Sequence, residues 1–294
     1  MGLVRAGVVI TPEGPFTLSL RCSGQERRWD RQLTRRLRSA ERFRYRGGGA
    51  SIRRRRMYDF TGRVVIVTGA AGNLGMVLAR AFHKNGANLA LVDHKAERLA
   101  QVYHDLAGSP SVLLGPATDL ASPDAVSLLV QTVLERFQHI DVLANTAGGY
   151  RAGEPLHETP LEAWDSVMNL NARSVFLVCR AVIPPMLRQQ YGKIINIGSR
   201  NSLKGTANSA LYDASKTVVL RLTESMSAEL QHHGINVNCI LPGTMDTPQN
   251  RAANPDADYS RWVRPEEIAE LALFLASDAS APIHGAAIPA FGRT

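Results

Sequence analysis

Short apolar strands alternate with helical patterns from residue 63 to the end of the chain. Each strand is a nearly continuous apolar run, which is typical of strands that are buried on both faces of a parallel sheet. We predict strands at residues 64–67, 88–92, 112–114, 141–144, 193–197, 235–240 and 286–288. We predict helices at residues 74–85, 96–106, 123–138, 161–190, 211–232 and 265–276. The alternation predicts an α/β fold in which helices cover both faces of a doubly wound parallel sheet.

The basic residues are concentrated at the start of the chain. Residues 1–56 hold fifteen arginines and four acids, whereas residues 57–294 hold nineteen basic and twenty-two acidic residues. The first segment therefore carries a net charge of +11 and the remainder −3. Arginine pairs, the Gly47-Gly48-Gly49 run and weak apolar periodicity predict that residues 1–56 are a disordered extension. Residues 57–294 are long enough for one domain with a full core.

Three interpretations of the arginine-rich extension stay open. It is a basic arm for nucleic acid or acidic surfaces, a targeting peptide, or an upstream extension that does not belong to the working protein. The third is favoured because Met57-Tyr58-Asp59-Phe60 opens directly onto the first strand and would serve as the start. Under that interpretation no nucleic-acid partner is expected.

Three cysteines are widely scattered, at Cys22, Cys179 and Cys239. Their spacing forms neither a metal-binding motif nor a disulfide framework, so no metal site is expected and a cytoplasmic location is predicted. No run of about 18 apolar residues is present, so no membrane span or membrane partner is expected. The N-terminus has no apolar stretch long enough for a secretory signal.

A glycine-rich turn lies between the first predicted strand and the first predicted helix. Its sequence is Thr68-Gly69-Ala70-Ala71-Gly72-Asn73-Leu74-Gly75. Glycines at this position let the backbone turn tightly and approach a pyrophosphate, which binds at the N-terminus of the following helix. The turn therefore predicts a dinucleotide site that includes Gly69, Gly72, Asn73, Leu74 and Gly75.

The ends of the next three strands supply further candidate cofactor contacts. Asp93 ends the second strand, where a carboxylate accepts hydrogen bonds from the adenosine ribose and repels a 2′-phosphate. It predicts NAD in preference to NADP, although His94 and Lys95 could soften that discrimination. Asp119 and Leu120 follow the third strand and suit an adenine contact. Small residues in Asn145-Thr146-Ala147-Gly148 let a cofactor lie against the fourth strand's end.

Tyr212 and Lys216 are the strongest candidates for chemistry. They lie four residues apart on a predicted helix, so both side chains share one helical face. A nearby cation lowers the pKa of a phenol from its usual value of about 10, which makes the phenol usable for proton transfer. Ser199 lies thirteen residues before Tyr212, at the end of the fifth predicted strand.

In order and spacing, these segments resemble the short-chain dehydrogenase/reductase family over essentially all of residues 57–294. Gly198-Ser199 and Tyr212-x-x-x-Lys216 match the family's catalytic segments. Asn171, seven residues after Trp164, matches the active-site asparagine better than Asn169 does. Pro242-Gly243-Thr244-Met245-Asp246-Thr247 matches the segment over the nicotinamide. Two departures are Asn73 at the usual middle glycine, with Gly72 one position earlier, and a C-terminus that lacks Asp-Gly-Gly.

The resemblance implies a Rossmann fold and hydride transfer between NAD(H) and a small-molecule carbonyl or alcohol. It implies catalytic roles for Asn171, Ser199, Tyr212 and Lys216. The tyrosine would exchange the proton with the substrate, and the serine would orient the substrate. The lysine would lower the tyrosine pKa and bind the ribose, and the asparagine would hold a water. Expected cofactor contacts also include Pro242, Gly243, Met245, Thr247, Tyr212 and Lys216. A homodimer or homotetramer is implied, with the long helices after strands four and five between subunits.

Two alternatives stay open. Residues 246–262 and Ala147-Gly148-Gly149-Tyr150 are similar to quinonoid dihydropteridine reductases, which generally lack a serine at the position of Ser199. The first alternative is therefore a pterin-type reductase. The second is a non-catalytic nucleotide-sensing or nucleic-acid-binding protein that uses the basic extension. Within the segment over the site, Arg251 is either an anion ligand or a solvated arginine.

Overall fold

The computed structural model describes residues 58–294 of the 294-residue chain. The predictions of a disordered extension over residues 1–56 and of a start at Met57 lie outside the described residues.

Seven parallel strands form one sheet across the described residues. They are β1 (Val64–Thr68), β2 (Asn88–Asp93), β3 (Val112–Ala117), β4 (Val142–Asn145), β5 (Gly192–Ile197), β6 (Ile235–Pro242) and β7 (Ala287–Ala290). Their order in the sheet is β3-β2-β1-β4-β5-β6-β7. The predicted doubly wound parallel sheet is confirmed, and each observed strand overlaps its predicted position.

Eight α-helices connect the strands of residues 58–294. They are α1 (Asn73–Lys84), α2 (Ala96–Val102), α3 (Pro123–Phe137), α4 (Leu161–Met168), α5 (Ser174–Gln189), α6 (Ala210–Leu230), α7 (Pro248–Ala253) and α8 (Pro265–Ala276). A π-helical turn at Asn169–Arg173 interrupts the single helix predicted for residues 161–190. The short α7 was not predicted. Thr247 starts it by accepting a hydrogen bond from the Asn250 amide, and Pro248 occupies its first turn.

Side chains of β1 divide between the two cores because successive residues of a strand point to opposite faces. Val65 and Val67 are fully buried in the core that contains Phe82 of α1. Val64 and Ile66 are fully buried on the other face, in the core that contains Val178 of α5. Burial of an aliphatic side chain of this kind stabilises the fold by about 1.5–3 kcal/mol. A strand covered on both sides explains why β1 is apolar without alternation.

The helical segment Leu161–Gln189 is long and apolar enough to pass a length-and-composition test for a membrane span. Of the most apolar 18-residue stretch of this segment, 56% is buried inside the protein. Val178, Val182 and Met186 on α5 are fully buried in the core beside the sheet. Because core helices pass the same test, these contacts account for part of the apolar composition of the segment.

The strand order reverses between β1 and β4, since the chain first builds outward through β2 and β3 and then returns to the other side of β1. In open parallel sheets, this reversal leaves a crevice at the carboxyl ends of the strands, where ligands bind. The predicted site residues follow or end strands at this same edge, or lie on α1, the π-helical turn and α6 beside it.

Candidate active site

The glycine-rich turn joins β1 to α1 in a tight, internally bonded conformation. Gly69 has φ +62°, a left-handed value that favours glycine, and its carbonyl accepts the amide of Gly72 at 2.9 Å. A Cβ on Gly75 would lie 2.2 Å from the Gly69 carbonyl oxygen, so a side chain there is excluded. These contacts hold the start of α1 against the end of β1.

The N-terminus of α1 fits the phosphates of a dinucleotide. Gly72 precedes the helix and supplies no side-chain cap, and the first turn contains no acid. The first amides of a helix lack partners within the helix, and its dipole attracts negative charge. The turn therefore offers backbone donors and a favourable field to a pyrophosphate.

Asp93 ends β2 beside that turn, with its side chain only 5% exposed. Its carboxylate accepts the amide of Ala71 at 3.1 Å and lies 2.9 Å from Nδ1 of His94. It also accepts the amide of Lys95 at 3.4 Å. The carboxylate thus ties the end of β2 to the glycine-rich turn, where the sequence predicts the adenosine ribose.

The candidates after β3 lie at the rim of the crevice. Asp119 is exposed, and its Oδ1 accepts the amide of Ala121 at 2.9 Å in a local turn. Leu120 is half-buried against the second core. Their predicted contact with adenine stays a prediction.

The segment after β4 packs closely on the end of β1. The hydroxyl oxygen of Thr68 accepts the amides of Thr146 and Ala147, each at 3.2 Å. Asn145 points away from the crevice, because its Nδ2 donates to Asn196 Oδ1 at 2.9 Å inside the protein. Any contact of Asn145 with a cofactor therefore falls to its backbone. Thr68 and Thr146 were not predicted as site residues.

Asn171 lies fully buried in the π-helical turn. Its Oδ1 accepts the amide of Gly149 at 2.9 Å, and its Nδ2 donates to the Gly149 carbonyl at 3.0 Å. The same Nδ2 also donates to Ser215 Oγ on α6 at 3.0 Å. The asparagine therefore joins the segment after β4 to the helix that carries Tyr212. π-Helical turns of this kind occur frequently at functional sites.

Ser199, Tyr212 and Lys216 meet where β5 ends against α6. The Lys216 ammonium is buried and donates to the Ile197 carbonyl at 2.9 Å. Ser202 Oγ accepts the Ser199 amide at 3.1 Å and donates to the Lys216 carbonyl at 2.9 Å. A Cβ on Gly148 would lie 3.2 Å from Lys216 Nζ. The predicted residues are thus brought together, with Ser202 as an unpredicted support.

Burial has the largest effect on the pKa values of Tyr212 and Lys216 on α6. It raises the pKa of the Tyr212 phenol, and a hydrogen bond with Ser199 acts in the opposite direction. Burial also lowers the pKa of Lys216 to about 8. The expected lowering of the tyrosine pKa by the lysine is not seen here, because desolvation outweighs the influences that favour the phenolate and the ammonium points to the Ile197 carbonyl.

Asp213, next to Tyr212, fixes the loop that follows Ser199. Its buried carboxylate accepts hydrogen bonds from Asn201 Nδ2 at 2.6 Å and Ser209 Oγ at 2.9 Å. It also accepts the amide of Thr206 at 2.6 Å and the hydroxyl of the same residue at 3.1 Å. The sequence analysis missed this residue, although an acid directly after the candidate tyrosine is a signal that could have been tested.

An aromatic contact marks the mouth of the site. The Tyr150 ring meets the Tyr212 ring edge-on, with centroids 4.8 Å apart and planes at 78°. Tyr150 is 71% exposed, so this contact lies at the surface of the protein. The segment that follows Tyr150 is held at Gly153, whose amide donates to the Asn208 carbonyl at 2.8 Å.

The predicted nicotinamide segment lies at the end of β6. Pro242 ends the strand, and the Gly243 amide donates to the Ala290 carbonyl of β7 at 2.9 Å. Met245 pairs with Val263 in an isolated parallel bridge. Thr247 is buried and caps α7. The segment thus runs along the carboxyl edge before the chain turns into α7.

The departure from the usual glycine pattern has a structural consequence. Asn73, which stands where the family has a glycine, donates a hydrogen bond from its side-chain amide to Gln249 Oε1 on α7. The segment over the site is thereby joined to the glycine-rich turn across the crevice. The residues described, 58–294, contain no cluster of His, Cys, Asp and Glu side chains suited to a metal ion.

Comparison with known proteins agrees with this geometry. A family model described as short chain dehydrogenase matches residues 63–258. The chain is 36% identical over 239 residues to dehydrogenase/reductase SDR family member 6 of Danio rerio, covering 76% of this chain and 94% of that protein. It is 35% identical over 240 residues to D-threitol dehydrogenase of Mycolicibacterium smegmatis, covering 78% and 92%. The crystal structure of levodione reductase superposes with a TM-score of 0.72 at 29% identity, covering 78% and 96%.

The buried Lys216 makes stability depend on pH. Its pKa is about 8 in the folded chain, compared with an ordinary value of 10.5, so the unfolded chain binds more protons between those values. The contribution of Lys216 to the free energy of unfolding should therefore increase as the pH rises from 8 towards 10. Relative to Lys216→Met, the wild-type free energy of unfolding should gain on the order of 2 kcal/mol between pH 7.5 and 10 in urea titrations. The exposed Lys84→Met variant is the control, and a pH-independent difference between wild type and Lys216→Met would contradict the assignment.

Proposed function

The chain belongs to the short-chain dehydrogenase/reductase family, and from that premise we propose that Ser199, Tyr212 and Lys216 carry out its chemistry. As a member of that family it is an NAD(P)-dependent oxidoreductase that acts on an alcohol or carbonyl group of a small-molecule substrate. The convergence of these three side chains at the carboxyl end of β5 is the observation that carries the residue assignment. Family membership also favours an enzyme over a non-catalytic nucleotide-sensing protein.

Tyr212 exchanges the proton. Its phenol contacts the Tyr150 ring edge-on, and an interaction with Ser199 acts against the rise that burial causes in its pKa. Burial keeps the phenol protonated at neutral pH, so it is available to donate to a carbonyl oxygen during reduction. In the oxidative direction the same oxygen accepts the hydroxyl proton. The hydroxyl of Ser199 hydrogen-bonds the substrate oxygen and orients it for this transfer.

Lys216 and Asn171 support that proton transfer. Asn171 holds both the Gly149 backbone and Ser215, which fixes the segment after β4 relative to α6. Lys216 is held by the Ile197 carbonyl and lies beside Gly148, where a ribose hydroxyl could reach its remaining donors. We expect Asn171 to hold a water that connects the lysine to bulk solvent.

The residues of the crevice fit a nicotinamide dinucleotide. The amides at the start of α1 would hold its pyrophosphate, and residues 242–247 would hold its nicotinamide end. Gly69, Gly72, Asn73, Leu74 and Gly75 form the first of these two sites, with Ala147 and Gly148 beside it. The nicotinamide supplies or accepts the hydride when it is bound.

We infer that NAD(H) is preferred over NADP(H). The Asp93 carboxylate is held at the end of β2 by the Ala71 amide, next to the glycine-rich turn. A carboxylate at that place accepts hydrogen bonds from ribose hydroxyls and repels a 2′-phosphate. Free, buried cysteines at Cys179 and Cys239 are in keeping with a reducing compartment, and we infer a cytoplasmic location.

We also infer a homodimer or homotetramer. Large apolar side chains stay exposed on α4, the π-helical turn and α5: Leu161, Trp164, Leu170 and Phe176. Their exposed fractions lie between 43% and 73%, and they follow one continuous helical segment. A surface of this kind is typical of a contact between protein subunits.

Tyr212→Phe tests the proton-transfer role. Removal of the hydroxyl should lower kcat for NADH-dependent ketone reduction by about 10²–10⁴-fold. NADH binding, measured by fluorescence, should change by less than about threefold because the ring is kept. Substrates would be found by following NADH oxidation with simple ketones, β-ketoacyl thioesters, sugars and quinonoid dihydropterin. A variant that turns over at the wild-type rate would refute the assignment of Tyr212.

Asp93→Ala tests the cofactor preference. Loss of the carboxylate should reduce the ratio of kcat/KM with NADH to that with NADPH by about tenfold or more, because repulsion of the 2′-phosphate is removed. His94→Gln is the neighbouring control and should leave most of the preference intact. An unchanged ratio in Asp93→Ala would show that another residue selects the cofactor.

Phe176→Glu tests the proposed subunit contact. The wild-type chain should sediment as a dimer or tetramer, and a buried charge at the contact should shift the variant to smaller species. Leu156→Glu, at an exposed turn outside the helical segment, is the matched control. A wild-type monomer, or a variant with unchanged sedimentation, would exclude this face as the interface.

A further inference from the structure

Arg200 places a positive charge at the carboxyl edge of the sheet. It directly follows Ser199, and its guanidinium carbon lies 4.9 Å from the centroid of the Phe291 ring. A Cβ on Gly243 would lie only 2.7 Å from one of its terminal nitrogens. The guanidinium therefore stands between the end of β5 and the end of β6, beside the segment proposed to hold the nicotinamide.

Gly243 makes room for this arginine. The same hypothetical Cβ would also lie 2.7 Å from the Phe291 carbonyl oxygen, so a side chain at residue 243 would collide on two sides. The cation–π contact with Phe291 orients the plane of the guanidinium. Its position is thus determined by packing and not by a partner of opposite charge.

The guanidinium of Arg200 is poorly paired compared with its neighbours. Arg251 pairs with Asp246 and Arg264 pairs with Glu267, whereas no carboxylate of residues 58–294 pairs with Arg200. Its one side-chain hydrogen bond within the described chain is a donation to the hydroxyl of Thr294. Its Nε is the one buried side-chain nitrogen or oxygen of residues 58–294 that has no hydrogen-bond partner. Guanidinium carries five donors, so most of its capacity is unused.

We propose that Arg200 binds the carboxylate of an anionic substrate, so that the enzyme acts on oxo acids and the corresponding hydroxy acids. This inference rests on the proposed function, because it places the anion next to Ser199 and the reacting carbonyl. A planar guanidinium fork matches a carboxylate with two parallel hydrogen bonds, which gives both affinity and orientation. Because Arg200 directly follows Ser199 in the chain, the proposal places the carboxylate and the carbonyl a short distance apart in the substrate.

If Arg200 has a purely structural role, a different result is expected. Arg200 also contacts Phe291 and Thr294 of the C-terminal tail, and its loss could disturb that tail. Such a disturbance would impair acids and neutral substrates alike. The informative quantity is therefore the ratio of kcat/KM for an oxo acid to kcat/KM for its methyl ester, measured in the same variant.

The experiment compares 2-, 3- and 4-oxo acids with their methyl esters in the full-length protein. Wild type should prefer the acid by at least about tenfold at one chain length, and Arg200→Met should lower that ratio by about tenfold or more. Arg200→Lys keeps the charge without the fork and should restore the ratio in part. Arg264→Met, which removes an exposed arginine already paired with Glu267, should leave the ratio unchanged. A wild-type ratio near one, or an unchanged ratio in Arg200→Met, would overturn the proposal.

A binding measurement separates this inference from the proposed function. Butanoate and butanamide would be titrated calorimetrically into the protein in the presence of saturating NADH. Wild type should bind butanoate at least about fivefold more tightly than butanamide, and Arg200→Met should bind them equally. If the enzyme turns over esters but prefers neither the acids nor butanoate, the Arg200 proposal is contradicted and the proposed function is not affected. Absence of NADH oxidation with every substrate would count against the proposed function, while the butanoate comparison would still decide the role of Arg200.

Discussion

Parallel pairing of β1 with β2 on one side and β4 on the other is the constraint on which the rest of the structure depends. Val65 pairs with Leu89 in β2 and with Val142 in β4, so β1 is hydrogen-bonded along both edges. Both of its faces are buried as well. Because all seven strands are parallel, their carboxyl ends share one edge, and the reversal beside β1 opens the crevice there. The glycine-rich turn, Asp93 and Ser199 therefore lie along the same edge of the sheet.

Burial then gives the crevice its chemical character. Desolvation raises the pKa of Tyr212 and lowers that of Lys216 to about 8, so charge is disfavoured on both side chains. Backbone carbonyls and amides supply much of the compensation, at Ile197 for the lysine and at Gly149 for Asn171. Polar groups that are buried and satisfied in this way hold their positions firmly. The folded chain alone therefore sets the positions of these side chains.

The elements that sequence analysis predicted well are those whose signals are local. Continuous apolar runs predicted the strands, and the glycine-rich turn was predicted between β1 and α1 because each of these patterns spans few residues. The helix predicted over residues 161–190 is interrupted by a π-helical turn, in which Asn171 hydrogen-bonds to Gly149 of a segment outside the helix. A contact of this kind leaves no signal in the local pattern. Similarity of residues 246–262 to pterin reductases stays a prediction. The same is true of the assigned roles of the catalytic side chains.

By itself, the sequence determined the α/β alternation, the glycine-rich turn and the four-residue spacing of Tyr212 and Lys216, because periodicity and spacing along a helix or strand are properties of neighbouring residues. Only the tertiary structure decided which distant groups meet. Asn73 bonds with Gln249 across 176 residues, and Arg200 reaches Thr294 across 94. Asn145 turns inward to Asn196, and Arg200 stays without an acid partner within the described chain. Such pairings follow from the order of the strands in space, and no local pattern encodes that order.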